Sequence, residues 1–536
     1  MIERGKQALP SPEMRRSRRA AALVALALLV AACTSADPTP PESVATATVE
    51  PSTPAPAPTP TREPTRPPDV EVPLAVVTGY PNVVAAITAA EVEAARAEDT
   101  IVQACELFTA VNPVPRCLPA AEIAAHLVDK PADLALLPAG LVVPTIKVLP
   151  VDGADLFGDA EARALSYPFT TTIEGPPEGW AHDPAEIRTL VSLGDSCPDR
   201  GVAFAAITQG RGWDWVFGGG TAEYTAVYPN PVPPGSVGNG FNIVDAVPTG
   251  NEGAVAELVS GADVTVDDFE CPVVDDFIVN EGTLFSIDPA VLPRLRDTYG
   301  VDVASLAANH LFDRGQAGFF STLEKFEEAG IPVTGAGLEL DAALEPALVD
   351  VKGLTFGFIG FNQIVGSVEA APGVPGVAWL NEENIREAAS RARAAADVVI
   401  CVPQWWGGDT VGPGAEYHAT FRGDMREHQA QMFDAGCDQI LGHGTHWSGP
   451  IEITATADGN HRVTVVSHGN FLFGQEWSQQ TQEGVIMELA FRGTELAQAR
   501  THPYIMLEQA QTNLTDPETD GTYVLNRIYE ASGLLP

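Results

Sequence analysis

The chain has 536 residues, too many for one compact core, so two folded domains are the natural expectation. Its formal charge is −41, and residues 1–32 carry six basic against two acidic side chains, leaving the remainder near −45. That balance argues against a nucleic-acid partner, whose binding is driven by basic side chains releasing phosphate counterions; a bound cation would suit it.

In chain order, an export signal comes first. Met14-Arg15-Arg16-Ser17-Arg18-Arg19 is a positive n-region, Ala20 to Val30 an apolar run, and Val30-Ala31-Ala32-Cys33 a small-residue ending. The run is too short to span a bilayer and reads as a signal peptide over residues 1–33, with Met14 the start of the signal proper. Its ending resembles the lipobox of bacterial lipoproteins, in which Cys33 would be acylated; an ordinary secretory peptide is the other reading. Residues 34–72 are dominated by Pro, Thr, Ser and Ala, which predicts a disordered stalk.

Order returns with Val72 to Val77, followed by a helical pattern over Ala89 to Ala97 and strands at Leu134 to Pro138 and Ile146 to Val151. Residues 73–165 form a small α/β domain without a dense ionisable cluster, so its role stays unassigned. From Ile187, strand-like runs recur at Leu190–Leu193, Val264–Val266, Val303–Leu306, Phe356–Gly360, Val398–Val402, Gln439–Leu441 and Val463–Val466. Helical patterns over Phe319 to Ala329 and Glu383 to Ala396 separate several of them, and the later strands look antiparallel. The expected fold class is α/β: a four-layer α/β sandwich over residues 187–505, preceded by the small domain and followed by a tail over 506–536.

Besides Cys33 there are six cysteines, an even number that implies disulfides outside the cell and allows fifteen pairings. Sequence proximity and shared strand ends predict Cys105–Cys117, Cys197–Cys271 and Cys401–Cys437.

Four predicted strand ends carry candidate ligands. Leu193-Gly194-Asp195 ends one, Val266-Asp267-Asp268-Phe269-Glu270-Cys271-Pro272 a second, Leu306-Ala307-Ala308-Asn309-His310 a third, and Gly442-His443-Gly444-Thr445-His446 a fourth. Open α/β sheets bind ligands at that edge, and mixed carboxylate, amide and imidazole donors suit Zn, Mn or Fe. A carboxylate can also bridge two cations about 3.5–4 Å apart, a device for in-line displacement at phosphorus. His126, His182, His418, His428 and His461 are expected to be structural, and Trp405, Trp406 and Trp447 packing groups; His468 is open between the site and the core.

Residues 187–505, about three fifths of the chain, resemble the CapA family of bacterial capsule and poly-γ-glutamate synthesis proteins, whose fold is similar to calcineurin-like metallophosphatases. Ser305 to Gly318, with Thr334-Gly335-Ala336-Gly337 beyond it, matches the family's Asn-His…Asp-x-Gly…Gly segment. Phe269 to Pro272, Gly442 to His446 and Ser467-His468-Gly469-Asn470-Phe471 match three further motifs. The resemblance implies Asp195, Glu270, Asn309, His443 and His446 as metal ligands, with Glu270 bridging. It implies His310 as a ligand or as the acid near the leaving group, with Asp313 orienting it. Two positions depart from the pattern. Gln404 stands where the family has a histidine after the Val398 strand, and Cys197 stands where metallophosphatases often have one; a Cys197–Cys271 disulfide is favoured there over a thiolate ligand.

The signal segment with its lipobox-like ending implies an extracytoplasmic, lipid-anchored protein, and the family resemblance implies a role in capsule or poly-γ-glutamate synthesis, with one or two divalent ions and phosphoesterase-like hydrolase activity. The expected partners are a cell-envelope polymer or its precursor and, through the anchor, a membrane. The alternative is a non-catalytic assembly or ligand-binding lipoprotein with a degenerate metal site.

Overall fold

The computed structural model describes residues 69–108, 116–228, 243–279, 282–406, 417–475 and 478–535. The predicted signal peptide and stalk, with Cys33, lie outside the described residues. Residues 66–536 form one compact unit.

Two sheets make the larger part. The first has ten strands, and its centre runs Val303–Ser305, Val264–Phe269, Ile187–Cys197, Glu483–Arg492, Glu495–Leu507. The first three of these pair in parallel, whereas Glu483–Arg492 is antiparallel to both of its neighbours, as expected of the later strands. The second sheet has six strands in the order Ala347–Val351, Leu354–Asn362, Val398–Gln404, Gln439–Leu441, His461–Val465, Ile451–Ala455.

Strand parity decides what each face covers, because successive side chains point to opposite sides. Leu190, Val266 and Val303 from the first sheet meet Phe356, Ile400 and Val465 from the second in one buried cluster. Their neighbours face outward: Val191 and Ala304 pack with Phe319 and Phe326 of the helix Gly315–Ala329. On the other side, Ile359, Cys401 and Ile440 pack with Ile385 and Ala392 of Glu382–Ala395 and Met432 of Met425–Ala435. Helix, sheet, sheet and helix are the four layers expected. Strands buried on both faces explain the near-continuous apolar runs in the sequence. The chain past residue 505 continues the fold, with Gln511–Thr515 adding a strand and Val524, Leu525, Ile528 and Tyr529 of the helix Thr522–Ala531 entering the inter-sheet cluster.

Residues 69–174 contribute a separate six-stranded sheet centred on Asp69–Gly79, with its own core of residues such as Val76, Ile123, Leu136 and Val148. Ile187, Ala490 and Ala497 join that core from the sandwich side. Across the junction, the Arg500 guanidinium donates to Asp155 Oδ1 at 3.0 Å and the Val148 amide to Gln498 Oε1 at 2.8 Å. The disulfides Cys105–Cys117, Cys197–Cys271 and Cys401–Cys437 are all present, as predicted.

Candidate metal centre

The site forms where the central parallel strands of the two sheets end. Asp195 and Asp268 are direct partners across the Ile187–Cys197 and Val264–Phe269 strands, just past a register irregularity in the ladder. The same stretch of the Asp195 strand pairs with Asn470–Phe473, and Asp195 N donates to Gly469 O at 2.9 Å. Close approach explains Gly194, where a Cβ would sit 2.2 Å from the Gly469 carbonyl oxygen. From the second sheet, a bridge between Gln404 and His443 aligns the turn that follows Leu441. That turn needs a left-handed Gly444, at φ +90°, and places the non-glycine His446 at φ +56°. A left-handed imidazole-bearing residue is backbone strain held by its surroundings.

Two sets of donors result: Asp195, Asp268 and His443, and Asp195, Glu270 and His446, each with its ligand atoms within 4.8 Å of one another. Asp195 belongs to both. The shared carboxylate is therefore Asp195, where the resemblance put Glu270 in the bridging position. His443 Nδ1 lies 3.0 Å from Asp195 Oδ1, and His446 Nδ1 lies 3.3 Å from Oδ2 and 2.8 Å from Asn470 Oδ1. His468, left open by the sequence, stacks its ring on His443 at 4.8 Å and sets its Nδ1 3.0 Å from the Gly442 carbonyl oxygen.

Asp195, Asp267, Asp268 and Glu270 are all fully buried. Neither oxygen of Asp268 or of Glu270 has a hydrogen-bond partner. Ser305 and Gln404 lie close enough to favour these two charges, but outside hydrogen-bond geometry. Burial raises the Asp268 carboxyl to about 7, and it drives Glu270 well above the carboxylate range, with Asp195 and Asp268 adding repulsion. Burial likewise lifts Asp267 to about 7, although the Ser196 hydroxyl donates to it at 2.8 Å. At Asp195 burial opposes the charge, but His443 and His446 overcome it and hold the group below its ordinary value. Burial also opposes charge on His443, yet Asp268 and Asp195 raise its pKa overall.

A cluster of buried carboxylates without donors is costly unless a cation joins it. Oxygen and imidazole donors in this arrangement fit a divalent metal ion.

Of the expected residues, Asp195, Glu270, His443 and His446 converge in the two sets. Asn309 comes in through its backbone, its amide donating to Gln404 Oε1 at 3.0 Å, and so ties the third strand end to the second sheet. His310 and Asp313 form a pair at 2.9 Å, His310 Nδ1 to Asp313 Oδ2, and Asp313 also accepts from the Phe285 amide at 2.8 Å. Asp313 also contributes to the field that raises Glu270. Cys197 is no thiolate ligand: its disulfide to Cys271 ties together the strand ends that carry Asp195 and Glu270, beside a Glu270 N to Ser196 O bond of 2.9 Å. Trp405 packs in the cluster with Ile440 and Val466, as expected, and Trp447 is buried. Asp268, which stood in the second strand end, was not singled out among the expected ligands; parity puts it on the same side as Glu270, two residues on, but not beside His443.

Residues 189–475 match the family model described as bacterial capsule synthesis protein PGA_cap. The PGA biosynthesis protein CapA of Bacillus subtilis is 32% identical over 186 residues, covering 34% of this chain and 46% of that protein. The capsule biosynthesis protein CapA of Bacillus anthracis is 26% identical over 198 residues, with coverages of 36% and 45%. A probable polyglutamine synthesis accessory protein of Mycobacterium tuberculosis is 33% identical over 174 residues, covering 28% and 41%. The chain thus spans less than half the length of each of these relatives. Among solved structures, the NAD nucleotidase of Haemophilus influenzae aligns over 60% of this chain and 50% of its own, at 11% identity and a TM-score of 0.32. Likeness at that level says nothing of chemistry.

Proposed function

Because the chain belongs to the PGA_cap family of bacterial capsule synthesis proteins, we propose that it is an exported, metal-dependent, phosphoesterase-like hydrolase serving capsule or poly-γ-glutamate synthesis. The observation that carries this reading is the pair of donor sets sharing Asp195. One or two Mn, Zn or Fe ions are the expected occupants, and a bound divalent ion supplies Lewis acidity toward a phosphoryl oxygen and lowers the pKa of water.

The protein's own residues would do the rest. Asp195, with His443 and His446 against its two oxygens, fixes the spacing of the two donor sets. The Cys197–Cys271 bridge keeps Asp195 and Glu270 in register while substrate comes and goes. His310, oriented by Asp313, hands a proton to the leaving oxygen, and the Asp313 contact selects which ring nitrogen carries it. The substrate class is a cell-envelope polymer or its phosphorylated precursor.

Three disulfides support an oxidising, extracytoplasmic setting. Among the described residues no helix is long and apolar enough to cross a membrane. Acylation of Cys33 is the proposed means of attachment. A second reading, a non-catalytic assembly lipoprotein that keeps the metal as structure, is favoured by Gln404 standing in the place of a histidine donor.

Elemental analysis of the purified protein, with phosphomonoesterase and phosphodiesterase assays in added Mn, tests the proposal. Bound metal with turnover that His443→Ala abolishes is expected. Bound metal without turnover selects the second reading, and less than about one metal per chain defeats both.

A further inference from the structure

A second concavity lies where the small sheet meets the sandwich, and none of the residues lining it belongs to the metal centre. Its inner end, about 60 Å³, is lined by Tyr80, Lys147, Arg500, His502 and Tyr529. Its outer part, about 520 Å³, is bordered by Thr221, Glu223, Thr249, Asp516 and Asp520. Ala85, His502 and Pro517 line both parts, which makes them one cleft.

The two parts differ in charge. At the inner end, the Arg500 guanidinium is satisfied by Asp155, and His502 Nε2 lies 2.8 Å from Glu488 Oε2. Lys147 has no such partner. Its ammonium donates to the Asn82 carbonyl oxygen, and among the described residues it forms no ion pair. Glu518, the carboxylate that acts on it, is exposed and already accepts from the Ala85 amide at 3.0 Å. Burial, with Arg500 nearby, pulls the Lys147 amine down to about 7. Beside it the Tyr80 side chain is 2% exposed; Thr501 lies close to its hydroxyl but outside hydrogen-bond geometry, its own hydroxyl being engaged with Tyr529. A half-buried amine without a carboxylate partner and a buried hydroxyl without a hydrogen-bond partner would both be met by an anion. The outer part is the reverse, with the carboxylates of Glu223, Asp516 and Asp520 beside the Thr221 and Thr249 hydroxyls.

The geometry points to a binding site for a small zwitterion, an amino acid or short peptide, whose carboxylate enters against Lys147 and Tyr80 while its ammonium faces Asp516 and Asp520. This site is independent of the metal centre and of the hydrolase reading.

The test is an NMR ligand titration of the purified protein with glycylglycine, acetate and ethylamine as probes. Glycylglycine is expected to bind at least about ten-fold tighter than either single-charge probe. Lys147→Gln should weaken it about ten-fold or more, and Tyr80→Phe, which removes only the hydroxyl, several-fold. Asp516→Asn should weaken glycylglycine and leave acetate unchanged, and metal-stripped protein should bind as before. Lys147→Gln removes a half-buried amine that forms no ion pair among the described residues and keeps a donor for the Asn82 carbonyl, so it should fold; if it does not, Tyr80→Phe carries the test. Equal binding of acetate and glycylglycine, no binding of any probe, or indifference to both inner-end substitutions overturns the proposal.

Discussion

At the strand ends, three fully buried carboxylates (Asp195, Asp268 and Glu270) come together with the imidazoles of His443 and His446, with Asp267 buried beside them. In the cleft beside the small sheet the surplus has the other sign, an ammonium at Lys147 with no carboxylate paired to it. The two regions also differ in how they are built. The first hangs on parallel ladders and a disulfide, each holding a donor from two directions. The second lies at a junction between sheets, where Arg500 and Gln498 reach across. An uncompensated buried charge states the sign of what should fill it, and rigidity states how narrow the choice is.

Breaking the first region should have the largest effect. Asp195→Ala removes the donor common to both sets, so metal content measured by elemental analysis should fall to background, while Lys147→Gln leaves it unchanged. Next, His310→Ala should cost about 10²-fold or more in turnover at unchanged metal content. Loss of metal in that variant would instead make His310 a ligand.

The disulfides sharpen the contrast between rigid and peripheral parts. Opening Cys197–Cys271, which closes a 74-residue separation, should cost ~4 kcal/mol in denaturant unfolding. Opening Cys105–Cys117, with a separation of 12, should cost ~3 kcal/mol and leave metal affinity alone. A larger loss for the shorter loop would mean that chain entropy is not what sets the order.

The smallest effect is in pH dependence, where the two regions should slope in opposite directions. In metal-free protein Asp267 and Asp268 titrate near 7 against an ordinary 3.8, so the folded form holds more protons between those values. Their contribution is full below about 4 and is lost as pH rises to about 7. Lys147 titrates near 7 against an ordinary 10.5, so there the folded form holds fewer protons and stability rises from about pH 7 to 10.5. Saturating metal should erase the first slope, and Lys147→Met the second. Unfolding free energies across pH, with and without chelator, would read both; a first slope that survives metal would falsify the assignment of those protons to the centre.

The layered sandwich was legible because its strands are buried on both faces and therefore apolar end to end, with glycines and donors just beyond Leu193, Leu306 and Leu441. The neighbourhood of Asp195, Glu270, His443 and His446 was legible for the same reason, since ligands at the ends of such runs share one edge. Asp268 was harder to see. It sits within the strand Val264–Phe269, and its reach toward His443 depends on a register irregularity no local pattern announces. Lys147 offered no signal at all: one lysine in a short strand, half-buried because Arg500 and Tyr529 come from the far end of the chain.

Local chemistry along the chain therefore settled the elements, their buried faces and the residue types at their ends, because parity and propensity act over a few residues. Convergence was decided by tertiary structure. His443 and Asp195 are 248 residues apart, and only the order of strands within two facing sheets brings their side chains to 3.0 Å. The sharing of Asp195 between donor sets, and the lack of an ion pair at Lys147 among the described residues, are likewise decided by packing, since a charge costs little in water and more once the neighbouring sheet has closed over it.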